Sequence, residues 1–213
     1  MGGEMLNYLL YPLSSDYGFL RLFNYISFRA AGAAMTALLT AFVVGPFILS
    51  RLRSMNLHQV VREGTPAGHS SKSQTPTMGG LIILVATILP TLLWMRLNNR
   101  YVIIALVAMV WMGVIGFMDD FLKLKQKREG RQNTGMVEAQ KLLGQLVLGF
   151  AIGYYIWKFP LSTLPGASTT LPFYKYMLIV PASQILGWLY VGFVTFVMTG
   201  ASNAVNITDG LDG

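Results

Sequence analysis

Two acidic knots, Asp119-Asp120 and Asp209-Gly210-Leu211-Asp212, hold four carboxylates, and each follows a long apolar run. Carboxylates of this kind bind hard divalent cations, and magnesium takes one or two of them while keeping water and substrate phosphate as its other ligands. Lys123, one turn after the first knot, and Lys125, Lys127, Arg128 and Arg131 beyond it either balance that charge or attract a polyanion. A solvated helix end with a basic stripe against anionic headgroups explains the same residues, and this motif alone leaves both readings open. The second knot is denser. Asn203 and Asn206 share a helix face if the preceding helix continues, and amides beside carboxylates fit recognition of a polar ligand. A helix end followed by two Asp-Gly turns explains the glycines well and the two asparagines poorly.

A third polar string runs from His69 through Lys72 to Thr75-Pro76-Thr77-Met78-Gly79-Gly80. Thr75 can cap a helix that starts at Pro76, leaving backbone N–H groups and the positive end of the dipole open to a phosphate. A plain capped helix start is the simpler reading of that segment. His58 and His69 have no companion at metal-ligand spacing and read as surface or hydrogen-bonding histidines.

The elements that must position these strings are apolar and long. Hydrophobic residues make up 54% of the chain and charged residues only 12%, about half the charged share of a soluble domain, which assigns an integral membrane protein. Runs of about 20 residues span a bilayer as helices. The runs predict an all-α polytopic membrane helix bundle, with five transmembrane helices at about 30–50, 78–95, 102–118, 142–157 and 176–199. An interfacial segment, 1–29, precedes them. Gln145 interrupts the fourth, and Pro181 should kink the fifth. Two crossings separate the acidic knots, so both face one compartment. Of the 16 basic residues, ten fall in the loops 51–77 and 119–141 and six on the opposite side, which places those loops, with 201–213, in the cytoplasm.

The absence of cysteine excludes disulfides, thiolate metal sites and cysteine nucleophiles. A net charge of +7 would suit nucleic acid, but the basic residues form no continuous cationic face, so membrane lipid and anionic phosphates are the expected partners and nucleic acid is not.

Together these strings, with Phe23-Asn24-Tyr25-Ile26-Ser27-Phe28-Arg29-Ala30, resemble the phospho-N-acetylmuramoyl-pentapeptide-transferase family, a branch of the polyprenyl-phosphate N-acetylhexosamine-1-phosphate transferases. The order and spacing match along the whole chain. The resemblance implies transfer of phospho-MurNAc-pentapeptide from UDP-MurNAc-pentapeptide to undecaprenyl phosphate, giving lipid I and UMP in peptidoglycan synthesis. It further implies a Mg2+ cofactor, a bacterial inner-membrane location with a cytoplasmic active site, and room for a homodimer. By motif, Asp119 and Asp120 are the catalytic pair, Asp119 as base or nucleophile and Asp120 for magnesium, with Asp209 a second metal position. Lys72, Thr77, Asn206, Asp209, Gly210, Leu211 and Asp212 match the nucleotide and sugar pocket. Lys123 matches a basic position near the diphosphate, and Lys141 is a looser match. Against that family the chain stops at Gly213, before the later Met-Gly-Asp aspartate and the His-rich loop, so the expectation is a C-terminally truncated single transmembrane domain that is inactive alone.

Rival readings are weaker. A transporter fragment would carry its carboxylates inside the spans rather than at their ends. An intramembrane aspartyl protease needs Gly-x-Gly-Asp, and a CDP-alcohol phosphotransferase needs Asp-Gly-x-x-Ala-Arg; neither string is present.

Overall fold

A computed structural model of the protein describes residues 6, 12–15, 17–54, 78–129, 135–160, 169–171, 174–179 and 183–210. Five long helices dominate them: α1 (Ile26–Ser54), α2 (Gly80–Trp94), α3 (Arg100–Arg128), α4 (Glu138–Lys158) and α5 (Gln184–Gly210). The helix bundle expected from the apolar runs is present. By length and composition α1, α3 and α5 can each cross a membrane. Helix α2 is apolar but has 15 residues, about 22 Å against a hydrocarbon core of about 30 Å. Helix α4 has 21 residues, with Glu138 in its first turn and Lys158 in its last. Large apolar side chains such as Phe42, Phe47 and Phe196 face outward, each at least 70% exposed, as helices solvated by lipid require. The protein is a multi-pass membrane protein.

The chain divides into two compact units, Met1–Gly135 and Met136–Gly213. In the first, α1 and α2 run antiparallel. Trp94 lies over Gly32 at one end, Ile82 meets Gly45 midway, and Leu52, Met78 and Leu124 form a buried cluster with Ile48 and Leu81 at the other. Phe23 stacks on Trp94 with ring centroids 5.6 Å apart, which ties the 3-10 turn Gly18–Asn24 to the end of α2. Helix α3 returns along α2, where Leu84 packs on Gly113.

In the second unit α4 and α5 are antiparallel and close. Gly149 and Gly153 face Thr195 and Val191, and Val191 is only 1% exposed; small residues allow the backbones this approach where no hydrophobic effect drives helices together. Gln145 finds its partners here. Its amide oxygen accepts from Asn203 Nδ2 at 2.6 Å, and its Nε2 donates to Ser202 at 3.3 Å. Between α4 and α5 lies an antiparallel hairpin, β1 (Thr169–Leu171) with β2 (Tyr174–Ile179), pairing Thr169 with Ile179 and Thr170 with Leu178, with a bulge at Leu171.

Three boundary expectations are corrected. Residues 176–179 belong to β2, so the fifth helix begins at Gln184, past Pro181, with Ser183 Oγ accepting from the N–H of Leu186 as its cap. Tyr, Met, Leu and Ile read equally as strand or membrane helix, and strand pairing decided the outcome. Helix α3 does not stop at Met118 but continues to Arg128. Helix α5 likewise runs on to Gly210, past the end expected at about 199.

Candidate active site

Because α3 continues past its apolar stretch, Asp119 and Asp120 stand inside a helix, two turns before its end. The dipole penalty expected for carboxylates at a C-terminus is correspondingly relieved. What sustains the helix there is local: Asp119 precedes Lys123 by four residues, the favoured acid-first orientation, and their Nζ–Oδ2 distance is 2.6 Å. Lys123 also lies 3.7 Å from Asp120 Oδ1, so one ammonium serves both carboxylates. The two acids differ in environment. The Asp119 side chain is 12% exposed and that of Asp120 31% exposed.

The wall around this pair comes from residues that the sequence did not single out. Met78 adopts the left-handed conformation, φ 67°, which costs a non-glycine residue about 1–2 kcal/mol. In that conformation its N–H donates to Asp120 Oδ2 at 3.2 Å, while its side chain is buried with Leu52 and Leu124. Opposite, Gly135 at φ 69° donates its N–H to Gln126 Oε1 at 2.9 Å and accepts from Gln126 Nε2 at 3.2 Å. A Cβ on Gly135 would lie 2.6 Å from Asp119 Oδ1 and 2.8 Å from Lys123 Cγ, so the backbone at 135 is pressed directly on the pair. The sequence signals for these contacts are a glycine closing a polar loop and the place of Met78 in the third polar string; nothing marked Gln126.

Asp119, Asp120 and Lys123 are thus brought together within the first unit. In the second, Lys141 is half-buried in the first turn of α4. The antiparallel packing of α4 and α5 puts that turn at the same end of the hairpin as the last turns of α5, whose backbone carries Asn206, Asp209 and Gly210. The side chains of 206–210 lie outside the described residues, as do Lys72, Thr75, Pro76, Thr77, Leu211 and Asp212 entirely. Asn203, read as one of two ligand-facing amides, instead spends its side chain on Gln145 and the carbonyl of Thr199.

The donor set suits a hard cation. Two oxygen-bearing groups, one of them a third exposed, are what magnesium needs when phosphate and water complete its shell. Among the described residues no group of three or more potential ligands forms a closed metal cage. The arrangement leaves one carboxylate shielded and the other partly open.

Compared with protein-family models, residues 101–213 match "Glycosyl transferase family 4", and residues 72–84 match "Phospho-N-acetylmuramoyl-pentapeptide-transferase signature 1". The chain is 62% identical to a phospho-N-acetylmuramoyl-pentapeptide-transferase of Gemmatimonas aurantiaca over 209 residues, 98% of this chain and 55% of the relative. It is 44% and 43% identical to proteins of the same name from Citrifermentans bemidjiense and a Geobacter species, again over 98% of the chain and 55% of each relative. The chain spans about half the length of these curated relatives.

Proposed function

The chain belongs to glycosyl transferase family 4, and on that premise we propose that the protein transfers phospho-MurNAc-pentapeptide from UDP-MurNAc-pentapeptide to undecaprenyl phosphate, forming lipid I and UMP. The observation that carries this reading is the asymmetric carboxylate pair with its shared lysine: Asp119 shielded, Asp120 open, Lys123 between them. In the reaction a lipid phosphate oxygen attacks the sugar-linked phosphorus of the nucleotide. The bond from that phosphorus to the bridging oxygen breaks, and UMP leaves with the bridging oxygen. Such a step needs alignment and charge neutralisation more than covalent chemistry from the protein.

Asp120, with one oxygen steadied by the Met78 N–H, would hold magnesium. When bound, that ion supplies positive charge to the diphosphate oxygens. Lys123 has its ammonium close to both acids, and an arriving diphosphate draws it toward the leaving nucleotide. Asp119 is then released from its ion pair and serves either as base toward the lipid phosphate in that direct attack, or as nucleophile that first displaces UMP to form an aspartyl phosphosugar, from which the lipid phosphate takes the group and returns the free carboxylate. Lys72, Thr77, Lys141, Asn206, Asp209, Gly210, Leu211 and Asp212 are assigned to the nucleotide and sugar. The site faces the cytoplasm of the bacterial inner membrane.

The test uses purified complete gene product in detergent with undecaprenyl phosphate and UDP-MurNAc-pentapeptide labelled in the peptide. Label moving into the butanol-extractable lipid fraction, dependent on magnesium and matched by UMP release, is expected. Ion or solute flux in proteoliposomes without any UMP release would overturn the reading in favour of a transporter.

A further inference from the structure

We propose that Gln126 is a positioning residue whose carboxamide latches Gly135 over Asp119 and thereby controls how much of that carboxylate is open to the aqueous side. The two Gln126 hydrogen bonds, 2.9 and 3.2 Å, use both backbone polar groups of one residue, so they fix its peptide planes as well as its position. Gly135 is buried, its φ of 69° is one that side-chain-bearing residues rarely adopt, and the place of its missing Cβ is filled by Asp119 Oδ1 and the Lys123 stem. Glycine is therefore required there twice, by conformation and by space. Gln126 sits on α3 seven residues beyond Asp119, two turns along and on the same face, so its hold on Gly135 is applied on the face that carries Asp119.

With the latch closed, Asp119 is shielded and its Oδ2 is given to Lys123; with it open, water and a phosphate gain access from the side of 135. The consequence for catalysis rests on the function proposed above. The latch itself does not, and it is tested independently of activity.

The complete gene product in detergent is treated with a water-soluble carbodiimide and glycinamide, and modification of Asp119 and of the exposed Glu138 is followed by peptide mass spectrometry. Loss of two hydrogen bonds shifts latch opening by about tenfold or more. Gln126→Leu, which removes both bonds, and Gly135→Ala, which cannot seat over Asp119, should both raise the Asp119 rate relative to Glu138 to that extent. A ratio within about twofold of wild type in both variants overturns the latch, since removing even one bond of ordinary strength would exceed that change. The catalytic arm compares kcat and KM for the nucleotide substrate: with the latch lost, water reaches Asp119 and the carboxylate is no longer held in place by Gly135, so kcat is expected to fall in Gln126→Leu while KM stays nearly constant. If wild-type protein transfers no phosphosugar, the proposed function fails while the labelling contrast still decides the latch.

Discussion

Lys123 and Met78 make separable claims about the residues around the carboxylate pair. If the Lys123 ammonium neutralises charge that develops on the diphosphate, Lys123→Met should lower kcat/KM by about 10²- to 10³-fold, and Lys123→Arg should recover part of it; steady-state UMP release measures both. Met78 tests the backbone. Its φ of 67° favours glycine, but its side chain is 8% exposed in the Leu52–Leu124 cluster. Removing a buried methionine side chain costs about 2–5 kcal/mol, more than the strain of about 1–2 kcal/mol, so both Met78→Ala and Met78→Gly should destabilise. Only the glycine variant relieves the strain. Met78→Gly should therefore be the more stable of the two by about 1 kcal/mol, the reverse of the order at a right-handed helical position, as read by thermal unfolding in detergent.

Glycines that look alike in sequence are distinguished by the helices around them. A Cβ on Gly149 would lie 2.8 Å from the Thr195 backbone, whereas nothing lies within 4 Å of one on Gly116. Gly149→Ala should destabilise by about 1–3 kcal/mol through forced separation of α4 and α5. Gly116→Ala should be neutral or stabilise by up to about 1 kcal/mol through helix propensity, and melting temperatures of the two variants check the contrast. The same scale shows what was legible beforehand. Apolar runs long enough for a membrane announced α1, α3 and α5 because their signal is composition, which tertiary contacts do not alter. The continuation of α3 past Met118 was missed because the end of hydrophobicity was taken for the end of helix, although the Asp119–Lys123 spacing already favoured continuation. Gln145 looked like a flaw in a span, and its pairing with Asn203 depends on a residue 58 positions away that no local pattern can supply. Asp119, Asp120 and Lys123 were legible as a charged cluster because they are neighbours on one helix; the contacts of Met78, Gln126 and Gly135 with that cluster were not, because they depend on left-handed backbone at 78 and 135 and on a carboxamide reaching nine residues along the chain.

At the scale of the whole molecule, family membership and membrane topology make one joint demand. The crossing count read from the sequence predicts that Asp120 and Asp209 share one side of the bilayer. The chain contains no cysteine, so single cysteines placed at 72, 120 and 209 report accessibility without background from this chain. All three should react with an impermeant maleimide from the cytoplasmic side only, and labelling from opposite sides would remove the shared-compartment premise. The central claim, that the Asp119–Asp120 pair performs phosphosugar transfer, meets its most direct test in radiolabel exchange between UMP and UDP-MurNAc-pentapeptide, in membranes carrying the complete gene product. Wild type should exchange label in the presence of magnesium, and Asp119→Asn and Asp120→Asn should each reduce the rate by about 100-fold or more at equal protein levels. Exchange at the wild-type rate in both variants would contradict the claim.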